Sequence, residues 1–356
     1  MIPVTRSFLP PLDEYVKHVS RAFENGWLTN RGELVLELES ELSTFLGLKD
    51  TKILCLNNGT SPLQIALKLL ARGGEVITTP FSYVATTTAI LWENCTPVFV
   101  DIHPEFLTID ETKIEEAITE NTTCILATHV FGNPCNIEVI EQIAQKYNLK
   151  VIYDGAHAFG VEYKGASIFE FGDITTCSFH ATKIFHTGEG GAIFCKDREL
   201  FDKIFLSHAF GHNADNFLQI GINAKMSELQ AAMGLSVLPF VKDIILKKRE
   251  NFYVYQNLLN DNFFLYKLRE NVVHNYSYFP IFFESENKLL NYLDEFNRCK
   301  IFPRRYFYPS LNTLEYLPNY TRCPISEAIS KRILCLPNYH DLMAQDQARI
   351  CKILEK

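Results

Sequence analysis

Residues 178–191 read SFHATKIFHTGEGG, a single lysine set between an apolar, hydroxyl-bearing approach and a turn rich in glycine. A lysine that only carries surface charge needs no such setting. Ser178 lies five residues before Lys183, Thr182 and Thr187 flank the lysine, and Gly188, Gly190 and Gly191 follow. A backbone of that kind can pass close to something bulky. Read alone, a lysine beyond a strand is more often a solvated charge, so the meaning of Lys183 depends on what the rest of the chain brings to the same place.

Working outward, short apolar runs bounded by Gly, Asn and Pro alternate with segments of helical period. Strands are predicted at 52–56, 75–79, 97–101, 124–128, 150–153, 175–179 and 192–195, and helices at 62–71, 85–93, 111–119 and 137–147. Unbroken apolar strands alternating with helices predict an α/β fold, a mostly parallel seven-stranded sheet covered by helices on both faces. A helical pattern over 226–250 is broken or bent near Pro239. Beyond about residue 250 aromatic content rises, as in YSYFPIFF (276–283) and PRRYFYP (303–309), with helices predicted at 285–298 and 343–354. The expected division is a large domain over 1–240 and a smaller α+β domain over 241–356.

Several classes drop out. The net charge of −8 speaks against nucleic acid as a partner. No apolar run approaches the roughly 20 residues of a membrane span, and Met1-Ile2-Pro3 opens without a secretory pattern. The ten cysteines form no CxxC pair and no zinc-like grouping. With several inside apolar runs, they predict a reduced, cytoplasmic protein without a metal. GxGxxG after a strand, GxxxxGK[ST] and HExxH are all missing.

Four strand ends carry candidate chemistry. Asp154 follows Val151-Ile152-Tyr153 at the carboxyl end of a strand, where open α/β sheets bind ligands; it could equally cap a turn before Gly155. Asn58-Gly59-Thr60-Ser61 opens a helix whose exposed N–H groups suit a phosphate, or simply a capped start with Thr60 or Ser61 as N-cap. Tyr83, in the loop after 75–79, is either core or a face for a ring to stack on. Lys183 completes the set. Pyridoxal phosphate (PLP) requires a lysine to bond it, an acid at its ring nitrogen, a phosphate cradle and a stacking face. One strand-end loop supplies each.

Beyond these residues, the chain resembles the DegT/DnrJ/EryC1/StrS family of sugar-nucleotide aminotransferases nearly end to end. The likeness runs through GWLTNRGELVLELESELSTFLG (26–47), NNGTSPLQIAL, TPVFVDI, THVFGNPCN, YDGAHAFG, SFHATK…TGEGGAIF, GINAKMSELQAAMGL, YFYP and LCLPNYHDL. It implies the type I PLP-dependent transferase fold. It also implies that Lys183 bonds the cofactor and shuttles the proton, and that Asp154 pairs with the pyridine nitrogen. His157 would lie near the ring hydroxyl, Tyr83 would stack on the ring, and Gly59, Thr60 and Ser178 would hold the phosphate. Asn223 and Lys225 match residues sent across a homodimer interface to the partner's phosphate, although Lys225 stands where Arg is commoner and lacks its fork. Gly155 replaces a common Ala, and Asn312 a common His. His186 is a candidate sugar contact or an ordinary loop histidine. Arg304, Arg305 and Tyr308 suit a diphosphate or sugar, and packing explains the tyrosine equally well.

The resemblance further implies L-glutamate as donor and a nucleotide-linked 4-keto-6-deoxyhexose as acceptor, with products that feed O-antigen or other glycans. GWLTN and YDGAHAFG look like members that aminate C4 of a dTDP-linked sugar, giving dTDP-4-amino-4,6-dideoxyglucose; amination at C3 is the alternative. A dehydratase branch of the family has histidine in place of the lysine, so Lys183 speaks against it. A catalytically silent binding protein would not need Asp154, Ser178 and Lys183 together. A cofactor-free carbohydrate-binding module would explain the aromatic C-terminal part but not these strand ends.

Overall fold

The computed structural model describes residues 1–355 except 260–262, 264, 265 and 318. Two helices, α1 (Leu12–Asn25) and α2 (Glu33–Phe45), precede strand β1 (Lys52–Leu56). Then come α3 (Thr60–Leu70), β2 (Glu75–Thr78), α4 (Val84–Trp92), β3 (Thr96–Phe99) and β4 (Thr122–Thr128). The series ends with α5 (Ile137–Tyr147), β5 (Lys150–Asp154), β6 (Ile174–Ser178) and β7 (Gly191–Cys195).

These seven strands form one sheet in the order β1-β7-β6-β5-β4-β2-β3. Every neighbouring pair is parallel except those made by β7, which runs antiparallel to both β1 and β6. Successive side chains of a strand face opposite ways, and both faces here are covered. Ile53 and Cys55 join a core with Leu38 and Leu42 of α2 and Ile140 of α5. Leu54 and Leu56 join another with Leu63 and Leu67 of α3 and Ile90 of α4. Burial on both faces is why the strands read as continuous apolar runs.

The helix expected at 111–119 is instead two single 3₁₀ turns, Glu111–Lys113 and Glu115–Ala117. The Asp110 carboxylate accepts the N–H of Thr112 and pairs with Lys113 at 2.8 Å, which favours a tight turn. The chain is already extended at Ile118 on its way to β4, so there is no room for a third helical turn.

After β7 come α6 (Arg198–Ser207) and a short hairpin, His212–Asn213 with Asn216–Phe217. Next are α7 (Glu228–Val237) and α8 (Val241–Leu258), separated by a 3₁₀ turn that contains Pro239. The bend falls where the proline lacks an N–H for the helical ladder. Glu228–Leu258 is long and apolar enough by length and composition to cross a membrane. Its buried Ala231, Ala232 and Leu235 instead share the core with Leu38 of α2, as in the core helix of a globular fold.

The C-terminal part pairs β8 (Phe279–Phe282) antiparallel with β9 (Ile333–Leu336). Around that pair lie α9 (Glu286–Arg298), α10 (Pro324–Arg332) and α11 (Ala344–Leu354), and its core includes Phe279, Phe296, Leu336 and Ile350. The chain start joins this core, since Ile2–Pro3 pairs in parallel with Ile301–Phe302 and Ile2 is buried there.

Candidate active site

The carboxyl ends of β1, β2, β4, β5 and β6 lie along one edge of the sheet, and antiparallel β7 begins at the same edge. A cavity of about 400 Å³ opens there, lined among others by Gly59, Thr60, Tyr83, Asp154, His157, Ser178 and Lys183. Seven residues from four separate stretches of the sequence thus share one space.

The loop carrying Lys183 is fastened by backbone bonds. The Thr187 N–H donates to the Phe179 carbonyl at 3.0 Å, that of Ala181 to Gly188 at 2.7 Å, and that of Lys183 to His180 at 2.8 Å. A Cβ on Gly191 would lie 2.3 Å from the Asn58 carbonyl oxygen, so only glycine lets β7 pass the loop after β1 this closely. Burial pushes the Lys183 ammonium below its usual pKa, and the charge of Asp154 partly offsets this. A lysine held in place with a lowered pKa has more of its amine unprotonated and available as nucleophile and proton acceptor than a solvated one.

Asp154 is buried at the end of β5. Its carboxylate accepts the Thr86 hydroxyl at 3.0 Å and the Ala156 N–H at 3.0 Å. Among the described residues it forms no salt bridge, and burial raises its pKa despite those bonds and the charge of Lys183. A buried carboxylate of this kind suits a cation that comes from outside the chain. His157 is buried beside Phe307, ring centres 5.5 Å apart and nearly parallel. Its Nδ1 accepts the Phe131 N–H at 3.3 Å, and burial holds its pKa well below the usual value. The ring is therefore neutral, with its proton on Nε2.

Gly59 and Ser178 abut, since a Cβ on Gly59 would lie 2.7 Å from that of Ser178. The cap of α3 differs from the expectation: neither Thr60 nor Ser61 supplies it. The Asn58 side-chain oxygen accepts the N–H groups of Thr60 and Ser61, both at 2.8 Å. These first-turn donors are the ones a phosphate would engage. Tyr83, 60% exposed, precedes α4 and leaves a ring face available at the cavity.

Arg304 also lines this cavity, and the remaining candidates lie outside it. Asn223 and Lys225 follow the exposed hairpin; the Lys225 ammonium reaches the Asn223 side chain at 2.7 Å and lies over the Phe210 ring. His186 is buried with its Nε2 2.7 Å from the Phe8 carbonyl, which ties the lysine loop to the N-terminal segment and leaves no free face for a sugar. Arg305 bonds Glu286 at 2.6 Å, which ties it to the C-terminal part, and lies over the ring of Tyr308, which is itself 48% exposed. Asn312 is buried, donating to the Thr321 carbonyl and the Glu327 carboxylate at 2.7 Å each.

Sequence reading missed Thr86, His180, Glu189, Tyr278, Tyr306 and Phe307. Thr86 lies in the first turn of α4, just past the extended Tyr83, and only the fold sets its hydroxyl against Asp154. His180 and Glu189, 3.6 Å apart at the mouth, lie inside the opening motif but have no spacing signature of their own. The aromatics come from the C-terminal part, and nothing local announces that they fold over the sheet edge.

A fastened lysine and an unpaired buried acid around one cavity, at the edge of this sheet, define the type I PLP-dependent transferase fold. The chain belongs to the DegT/DnrJ/EryC1/StrS aminotransferase family, whose model matches residues 12–355. It is 43% identical to a dTDP-4-amino-4,6-dideoxy-D-glucose transaminase of Shigella dysenteriae, covering 95% of this chain and 94% of the relative. An Escherichia coli protein of the same name is 39% identical over 99% of this chain and 98% of its own length. Among solved structures, DesI in the presence of its TDP-sugar product superposes with a TM-score of 0.92 at 29% identity, covering 99% of this chain and 92% of that one.

Proposed function

We propose that this chain is a PLP-dependent aminotransferase acting on C4 of a dTDP-linked sugar. It moves the amino group of L-glutamate to dTDP-4-keto-6-deoxyglucose and yields dTDP-4-amino-4,6-dideoxyglucose. The observation that carries the reading is a buried Asp154 and a half-buried Lys183 around one cavity, with no cation paired to the acid among the described residues. The names of the two relatives above supply the sugar and the carbon.

Bound PLP would supply an electron sink for the carbon that loses or gains the amino group. The chain's own residues do the rest. Asp154, already shielded from water, holds the ring-nitrogen proton. Lys183 anchors the cofactor and carries the proton to and from the reacting carbon. The neutral His157 offers its Nε2 proton to the ring oxygen, and Tyr83 covers one ring face. Gly59, Thr60 and Ser178 receive the phosphate, with the first-turn N–H groups released by Asn58. Asn223 and Lys225, outside their own cavity, act on the phosphate of a second copy, which makes the enzyme a homodimer. In this reading residues 1–240 form the cofactor domain and 241–356 the smaller one, and the enzyme works in the cytoplasm.

The test is the visible spectrum of purified protein with PLP, before and after L-glutamate. The reading expects a band that glutamate abolishes and dTDP-4-keto-6-deoxyglucose restores, with the new amine located at C4 by NMR. A band that only a dTDP-3-keto-6-deoxyhexose restores, with the amine at C3, would move the assignment to that alternative. No cofactor band at all would favour the silent binding protein.

A further inference from the structure

Two arginines stand side by side in the C-terminal part and have different surroundings. Arg305 is held by Glu286 and by the carbonyls of Ser330 and Lys331. Arg304 lines the cavity that holds Lys183 and Asp154, and among the described residues its guanidinium has neither a hydrogen bond nor an ion pair. Its backbone is fixed, with its N–H donated to the Cys335 carbonyl at 3.1 Å and its carbonyl accepting the Cys335 N–H at 2.8 Å. The guanidinium carbon lies 5.6 Å from the centre of the Tyr306 ring, which restrains the group without neutralising it.

The other ionised side chains lining the cavity are accounted for. Lys183 and Asp154 have cofactor roles in the proposed function, and Glu189 sits 3.6 Å from His180. One cation is left over.

We propose that Arg304 is an anion subsite used in turn by both substrates: it takes the distal carboxylate of the amino donor in one half-reaction and the diphosphate of the sugar nucleotide in the other. This rests on the aminotransferase reading above. Both substrates must bring their reacting carbon to Lys183. In glutamate the distal carboxylate is three carbon–carbon bonds beyond that carbon. In a 4-keto sugar nucleotide the first phosphate hangs from the carbon across the ring. One cation lining the same cavity as the lysine can therefore serve both, and a guanidinium fork matches carboxylate and phosphate alike. The subsite also explains why a cavity that takes a bulky sugar nucleotide would choose a small dicarboxylic amino acid as donor.

The experiment uses the PLP-loaded enzyme and its Arg304→Gln and Arg304→Lys variants. Donor half-reactions with L-glutamate and with L-glutamine, which lacks only the distal charge, are followed by single-turnover absorbance. Binding of dTDP is measured by calorimetry. Arg304→Gln is expected to raise the apparent Kd for glutamate roughly 10- to 100-fold, the worth of a charged hydrogen bond, with little change in the limiting rate. The preference for glutamate over glutamine should collapse, dTDP should weaken by a similar factor, and Arg304→Lys should recover part of each. A converting wild type with no such preference, or a variant that keeps it, overturns the subsite alone, as does unchanged dTDP binding. A wild type that converts neither donor overturns the aminotransferase reading and the subsite with it.

Discussion

Lys183 and Asp154 carry opposite charges in one cavity, and desolvation works against both. Lys183→Ala removes the anchor and the proton carrier together. Turnover should fall to the detection limit while circular dichroism and a cooperative melt are retained. Asp154→Asn separates stability from activity. Because the folded-state pKa of Asp154 is raised, the unfolded chain releases the proton first as pH increases, so this group makes the cofactor-free protein less stable across the window from the ordinary carboxylate value up to its own. The cofactor-free Asp154→Asn protein should therefore melt no lower than the parent at neutral pH, and the difference should close as the pH falls below the ordinary carboxylate range. Its turnover with PLP should drop roughly 100-fold or more, since the amide cannot hold the ring-nitrogen proton as an ion pair. A variant that melts far lower in the cofactor-free state would show Asp154 to be a structural acid.

At the scale of elements, α7 does more than fill the core. Ser227 and Gln230 form a reciprocal capping box at its start, and the Gln230 amide also donates to the carbonyls of Asn57 at 3.0 Å and Glu189 at 2.7 Å. One side chain thus fastens the phosphate loop after β1 and the glycine turn before β7 to the same helix end. Gln230→Ala should cost about 1–2 kcal/mol in denaturant unfolding and should weaken PLP retention in dialysis more than a surface substitution of equal cost. Equal retention would mean the two loops hold their positions without the helix.

For the whole molecule, the segment after α6 is unusually apolar at its surface: Phe217 is 82% exposed and Ile220 74%. It lies next to Asn223 and Lys225, which the proposed function sends to a second copy's phosphate. Sedimentation of the purified protein should give twice the 40.9 kDa of one chain. Phe217→Asp with Ile220→Asp should shift it toward one copy and lower turnover, while the far-ultraviolet dichroism of the chain is unchanged. A fully active single copy would remove Asn223 and Lys225 from the site.

The sequence by itself determined the sheet. All seven strands fall within two residues of their predicted bounds, because a strand buried on both faces must be an unbroken apolar run, and that pattern is local. It also exposed Asp154 and Lys183, since a charge placed just past such a run has to sit at the sheet edge. The tertiary structure decided what those edges enclose. The strand order, with antiparallel β7 between β1 and β6, is what sets Gly59 against Ser178. The same chain segment carries Arg304 into the cavity and commits Arg305 and Asn312 to partners within the C-terminal part, and adjacent residues of one composition carry no local mark of which way each will face. His186 likewise looked free in sequence and is fixed by Phe8, a partner 178 positions away. Periodicity records burial along the chain; the pairing of distant side chains depends on how the elements pack.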